Sequence, residues 1–166
     1  MLALGIDPGT ASTGYGLVRI GSDSSLRLVD YGVIRTSSNE PMPARLKALH
    51  EALKSILQQH EPETSAVEQL FFQRNVTNAI SVGQARGVAL LALAEFGITV
   101  GEYTPLEIKQ AVVGYGGADK RQVQLMVQRL LGMDEKPTPD DAADGLAVAI
   151  CHLQVRRTEQ RYQDAQ

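Results

Sequence analysis

The chain opens with three short apolar stretches of strand character before its pattern changes period. Leu2–Ile6, within "LALGID", is a continuous apolar run and predicts a buried strand. "GYGLVRIG" and "LRLVDYGVIRT" predict two more, joined by the polar turn "SDSS". In the third, Leu26, Leu28 and Tyr31 alternate with polar neighbours, as in a half-buried antiparallel strand. Short connections between the three imply a meander. The period then becomes helical: Leu46, Leu49, Leu53, Ile56 and Leu57 share one stripe of "PARLKALHEALKSILQQH".

A short strand, "TSAVEQL", follows, then a helix rich in small residues from Thr77 to Glu95 and a further strand, "ITVGEY". "TPLEIKQAVVG" carries a capping box, with Thr104 as cap, Pro105 at the first helical position and Glu107 at the third. "DKRQVQLMVQRLLG" repeats this logic between Asp119 and Gly132. The last helix starts near Pro139 with Thr138 as its cap, and "RRTEQRYQDAQ" reads as a polar, frayed tail. Strands entered through helices run parallel to the first strand. The order predicts an α/β domain over residues 1–155, with a mixed five-stranded sheet (three antiparallel strands, then two parallel) flanked by helices, and a tail over 156–166.

Composition changes little in this picture. At 166 residues, with 43% hydrophobic and 21% charged side chains, the chain is an ordinary globular domain. Glu95 interrupts its best apolar stretch, "GVALLALAEFGITV", so no membrane span is expected. The N-terminus lacks a basic region before its apolar run, which argues against a signal peptide and for a cytoplasmic location. The single cysteine, Cys151, reads as a small buried residue. His50, His60 and His152 are scattered, so no zinc-type cluster is expected, and neither a G-x-S-x-G elbow nor a G-x-x-x-x-G-K-[ST] loop occurs.

The chemistry concentrates in acids. Asp7 and Glu68 stand at the ends of two strands expected to be parallel, so both carboxylates emerge at one sheet edge, where open α/β sheets place their ligands. Asp7 begins D-P-G, which is also ordinary turn chemistry. Glutamate is a poor strand former, which makes Glu68 harder to explain structurally. Asp141 and Asp144, within "DDAAD", share a helix face beside the small Ala142 and Ala143. Asp140 and Asp141 in a first turn are also what a helix dipole favours. Carboxylates on one face repel unless a cation neutralises them, and oxygen-only ligands suit Mg²⁺ or Mn²⁺.

Taken in order, "GIDPGTASTGYG", "VEQLFFQRN", "VGQARG", "IKQAVVGYGGADKRQV" and "DDAADGLAVAI" resemble the RuvC-type Holliday junction resolvases over nearly the whole chain. The resemblance implies a ribonuclease-H-like fold and a metal-dependent endonuclease that nicks two symmetric strands of a four-way DNA junction. It implies that Asp7, Glu68, Asp141 and Asp144 are the catalytic, metal-binding carboxylates, with Asp7 the choice for a bridging ligand and Asp140 outside the set. Two Mg²⁺ ions per site are implied, with Mn²⁺ as a substitute, and a nick with ligatable 5′-phosphate and 3′-hydroxyl ends. RuvA- and RuvB-type branch-migration proteins are implied partners.

Adjacent Phe71 and Phe72 face opposite ways on an extended segment, so one is core and the other can stack on an unpaired base, worth about 1–3 kcal/mol. The resemblance favours Phe71 for stacking. Arg74, Asn75, Arg86, Lys109, Lys120 and Arg121 are candidate DNA contacts, and each basic one also reads as a solvated charge. The net charge of −3 argues weakly against a nucleic-acid binder; two divalent cations would reverse its sign. Symmetric cleavage suits a two-fold homodimer. Gly83, Ala85, Gly87 and Ala89 would allow close helix packing at its interface or on the chain's own sheet. Two rivals are an ATP-binding domain of the actin and sugar-kinase type, for whose duplicate there is no room, and a non-catalytic junction-binding relative, against which the four intact acids argue.

Overall fold

The alternation inside "LALGID" sets the architecture. In the computed structural model, which describes residues 1–69 and 76–165, β1 (Leu2–Asp7) is the central strand of a five-stranded sheet. Its even positions, Leu2, Leu4 and Ile6, are large and join one core cluster, whereas Ala3 belongs to the cluster on the other face. Successive strand side chains point to opposite faces. One face of β1 is therefore built from leucine and isoleucine and the other from Ala3, Gly5 and Asp7.

β1 pairs antiparallel with β2 (Ser12–Ile20) and parallel with β4 (Thr64–Glu68). β3 (Leu26–Arg35) and β5 (Val100–Tyr103) form the edges, giving the order β3-β2-β1-β4-β5. The expected mixed sheet is observed. Between the pairs Leu17–Asp30 and Val18–Leu28 the register slips by one residue. The extra residue, Val29, is 40% exposed. This bulge lets Tyr31 pack on the same cluster as Leu26 and Leu28, despite its odd spacing from them.

The leucine face is covered by α1 (Met42–His60) and α2 (Val76–Glu95). Leu49, Leu53 and Leu57 of α1 are buried there, each contributing about 1.5–3 kcal/mol, and Ala85, Ala89 and Ala92 of α2 lie in the same cluster. The small residues of α2 thus pack, at least in part, on the chain's own core.

The opposite face is covered by α3 (Pro105–Val113), α4 (Lys120–Leu130) and α5 (Asp140–Asp164). Both expected capping boxes form, with Thr104 accepting from the Glu107 N–H and Asp119 from the Gln122 N–H. Two expectations at α5 are corrected. Pro139, with extended backbone at φ −69° and ψ 173°, occupies the cap position in place of Thr138 and has no side-chain oxygen to offer. Residues 156–164 are also helical rather than frayed: they prolong α5 as a largely exposed extension, whose polar residues lack periodicity because it has no apolar face to cover. No helix among the described residues is long and apolar enough to cross a membrane.

The glycines of "GIDPGTASTGYG" explain how α5 sits. A Cβ on Gly5 would lie 2.3 Å from the Ala149 N and Gly145 O, and one on Gly14 would lie 1.7 Å from the carbonyl oxygen of Asp141. A Cβ on Gly145 would lie 2.6 Å from the Tyr15 Cα. The helix backbone rests directly on the backbones of β1 and β2, a distance that excludes any side chain.

Candidate metal centre

Register places the first two acids together. Ile6 pairs with Val67 in the parallel β1–β4 ladder, so Asp7 and Glu68 are the next step at the carboxyl ends of both strands. The pairs Asp7–Gly14 and Glu68–Tyr103 complete one row across the sheet, facing α5. Glycine at position 14 lets the first turn of α5 drop onto this row. One carboxylate oxygen from each of Asp7, Asp141 and Asp144 lies within 4.8 Å of the other two. Asp7, Glu68 and Asp144 also line a cleft of about 390 Å³ with Lys109, Lys120 and the apolar Pro105, Ile108, Val123 and Ala147.

The electrostatics of this cleft are unfavourable for four free anions. Burial, then the charge of Glu68 and its capacity to accept the Asp7 proton, push the Asp7 carboxyl up to about 9. Burial also raises Glu68, against the opposing effects of Asp7, Lys109 and Lys120. Asp144 is raised by burial, although Lys120 pulls the other way. The Lys120 Nζ lies 3.0 Å from Asp144 Oδ2 and 3.8 Å from Asp140 Oδ2. Burial works against its charge, but Asp144 outweighs that effect and holds the ammonium above its ordinary value. Like charges gathered out of water in this way fit a divalent cation, and an all-oxygen donor set fits Mg²⁺ or Mn²⁺. Asp7, Asp141 and Asp144 could hold one, and Glu68 lies beside Asp7 in the same cleft.

The remaining positions singled out in the sequence lie elsewhere. Asp140 is exposed and tied to Gln124 Nε2 (2.7 Å) and Lys120, outside the three-acid cluster. Arg86 is ion-paired with Glu102, and its Nε is buried with no hydrogen-bond partner among the described residues; Arg121 is exposed on the first turn of α4. Phe71, Phe72, Arg74 and Asn75 lie outside the described residues. His50 and His60 are half-buried on α1, each 2.9 Å from a carboxylate oxygen, of Glu95 and Asp30 respectively.

Two hydroxyl side chains at the site, one bonded to an acid and one to the turn after Asp7, carry no distinct signature in the sequence. The Ser12 hydroxyl donates to Asp141 Oδ2 at 2.5 Å, across 129 residues of chain. The fully buried Thr13 hydroxyl accepts from the Gly9 N–H and donates to the Gly9 carbonyl, closing the D-P-G turn. Their only signal was the hydroxyl-rich run "TAST", which is equally common in plain turns.

The family model for "Crossover junction endodeoxyribonuclease RuvC" matches residues 3–152. The chain belongs to the RuvC family. It is 56% identical over 162 residues to the RuvC crossover junction endodeoxyribonuclease of Chloroflexus aurantiacus, covering 98% of both chains. It is 57% identical over 152 residues to that of Desulfitobacterium hafniense, covering 92% of each. Thermus thermophilus RuvC, solved in complex with a Holliday junction substrate, superposes with a TM-score of 0.91 at 39% identity, over 96% of both chains. The acidic cleft of this RuvC-family chain lies wholly inside the matched region.

Proposed function

We propose that this chain is a Holliday junction resolvase, a metal-dependent endodeoxyribonuclease that nicks two symmetric strands of a four-way junction and leaves 5′-phosphate and 3′-hydroxyl ends. The observation that carries this reading is the convergence of Asp7, Asp141 and Asp144 beside Glu68 in a family named for that activity. Its setting is recombination and repair, with RuvA- and RuvB-type partners as the resemblance implies, in the cytoplasm.

Asp7, Glu68, Asp141 and Asp144 would hold two Mg²⁺ ions, or Mn²⁺ in their place. Bound there, such ions would supply Lewis acidity for a water nucleophile and for the charge on the leaving 3′ oxygen. The chain's own residues do the rest. Asp7 gives up its proton when a cation binds, so affinity rises with pH. Lys109 and Lys120 line the same cleft and offer positive charge to a phosphate entering it. Arg74, Asn75, Arg86 and Arg121 extend the DNA contacts, and Phe71 or Phe72 stacks on an unpaired base.

The working unit is a homodimer, since two symmetric cuts need two sites. Support comes from α2, which exposes Ile80, Gly87 and Leu91 on a single helical stripe. The test is nicking of a synthetic four-way junction with and without Mg²⁺, wild type beside Asp7→Asn. Mg²⁺-dependent symmetric nicks, lost in Asp7→Asn, are expected. Junction binding without any cleavage by wild type would leave a binding module instead.

A further inference from the structure

The sequence between Asp7 and Gly14 has two consecutive hydroxyl residues whose side chains serve different segments of the site. Ser12 pairs with Arg35 and Thr13 with Ile34 in the β2–β3 ladder, so the backbone carrying both hydroxyls is fixed by the sheet. Ser12 points toward α5 and hydrogen-bonds Asp141, in the first turn of that helix. Thr13 points the other way and clasps both polar backbone groups of Gly9, in the turn that follows Asp7. Thr10 adds a tether from the same turn to α2, through the Ser81 hydroxyl at 2.5 Å.

A first-turn aspartate needs such a partner. The terminal torsion of an aspartate side chain is broad and two-fold, so an unbraced Asp141 would present its oxygens in many orientations. With one oxygen held by Ser12, the carboxylate plane is set and the other oxygen is left for a ligand. Outer-shell hydrogen bonds of this kind orient metal-binding carboxylates, and their loss weakens affinity by about 10–100-fold.

We propose that Ser12 and Thr13 form a two-hydroxyl positioning brace, Ser12 setting the rotation of Asp141 and Thr13 holding the turn that carries Asp7. This rests on the reading of Asp7 and Asp141 as cation ligands. The full chain, free of DNA, is titrated with Mn²⁺ by electron paramagnetic resonance, comparing wild type with Ser12→Ala, Ser12→Thr, Thr13→Val, Thr13→Ser and Asp141→Asn. Ser12→Ala is expected to weaken Mn²⁺ binding about 10-fold or more, with the melting temperature of the metal-free protein within about 3 °C of wild type. Ser12→Thr is expected to restore binding to within about 3-fold, and Thr13→Ser to outperform Thr13→Val. Should Thr13→Val fail to fold, the Ser12 pair decides alone. Wild-type affinity in Ser12→Ala, beside weakened binding in Asp141→Asn, would overturn the brace while leaving the cation site standing. No recovery in Ser12→Thr would overturn the role of the hydroxyl. Unchanged binding in Asp141→Asn would remove the cation reading and the brace together.

Discussion

The two faces of the sheet differ in how closely their helices approach it. On the α1–α2 face, Leu4, Ile6 and Leu17 meet Leu49, Leu53 and Leu57 through side chains. On the α5 face, Gly5, Gly14 and Gly145 bring backbone against backbone. Side-chain packing tolerates volume-conserving exchange and relaxes partly after a deletion. Backbone contact leaves nothing to give way. The carboxylates sit where that backbone contact leaves no slack, as a cluster of like charges held within 4.8 Å requires.

The sharpest way to break this contrast is one methyl group on each side. Gly14→Ala drives a Cβ into the Asp141 carbonyl. It is expected to cost about 3–5 kcal/mol, lower the melting temperature by about 10 °C or more, and abolish cleavage even in molecules that fold. Calorimetry with a nicking assay on the soluble fraction measures both. Leu53→Ala, buried on the other face, is expected to cost a comparable 2–4 kcal/mol. Cleavage per folded molecule should nevertheless stay within about 2-fold of wild type. Equal loss of specific activity in the two variants would erase the distinction between the faces.

Asp7→Asn sharpens the contrast from the electrostatic side. With its carboxyl held near 9 against an ordinary 3.8, folded Asp7 keeps a proton that the unfolded chain releases. Its contribution to stability is present at low pH and is lost as pH rises through about 9. The metal-free wild type should therefore melt progressively lower between pH 5 and pH 9, and Asp7→Asn should flatten that slope. At pH 8, Asp7→Asn should melt about 2–6 °C higher while losing cleavage. Added Mg²⁺ should raise the melting temperature of wild type only.

The smallest expected effect lies deeper on the α5 face. His152, 3% exposed, hydrogen-bonds Thr64 Oγ1 (2.7 Å) and the Tyr103 hydroxyl (2.9 Å), and burial, then Arg156, depress it to about 4. The unfolded imidazole takes up a proton first, near 6.5, so this stability is complete above that pH and declines as pH falls toward about 4. Melting curves at pH 7 and pH 5 should show a larger drop for wild type than for His152→Gln. An identical drop would remove His152 from the account.

Most of the fold was legible because periodicity reports burial. The apolar run of "LALGID", the leucine stripe of α1 and the caps at Thr104 and Asp119 are local, and local rules decide them. The α5 start depends on an extended Pro139 that takes the cap position, and its C-terminal extension is illegible because an exposed helix leaves no apolar trace. Within the site, the acids could be picked out by their awkward positions. Ser12 could not, since a turn serine and a carboxylate brace have the same local sequence.

By itself, then, the sequence determined the order of strands and helices and the family of the chain, and it singled out four acids as candidates. The tertiary structure decided which glycines were structural, that Lys120 lies against Asp144, and that Ser12 reaches Asp141. The reason is range: propensity and period act over a few residues, whereas β2 and α5 meet across more than a hundred, at a distance set only when their backbones touch.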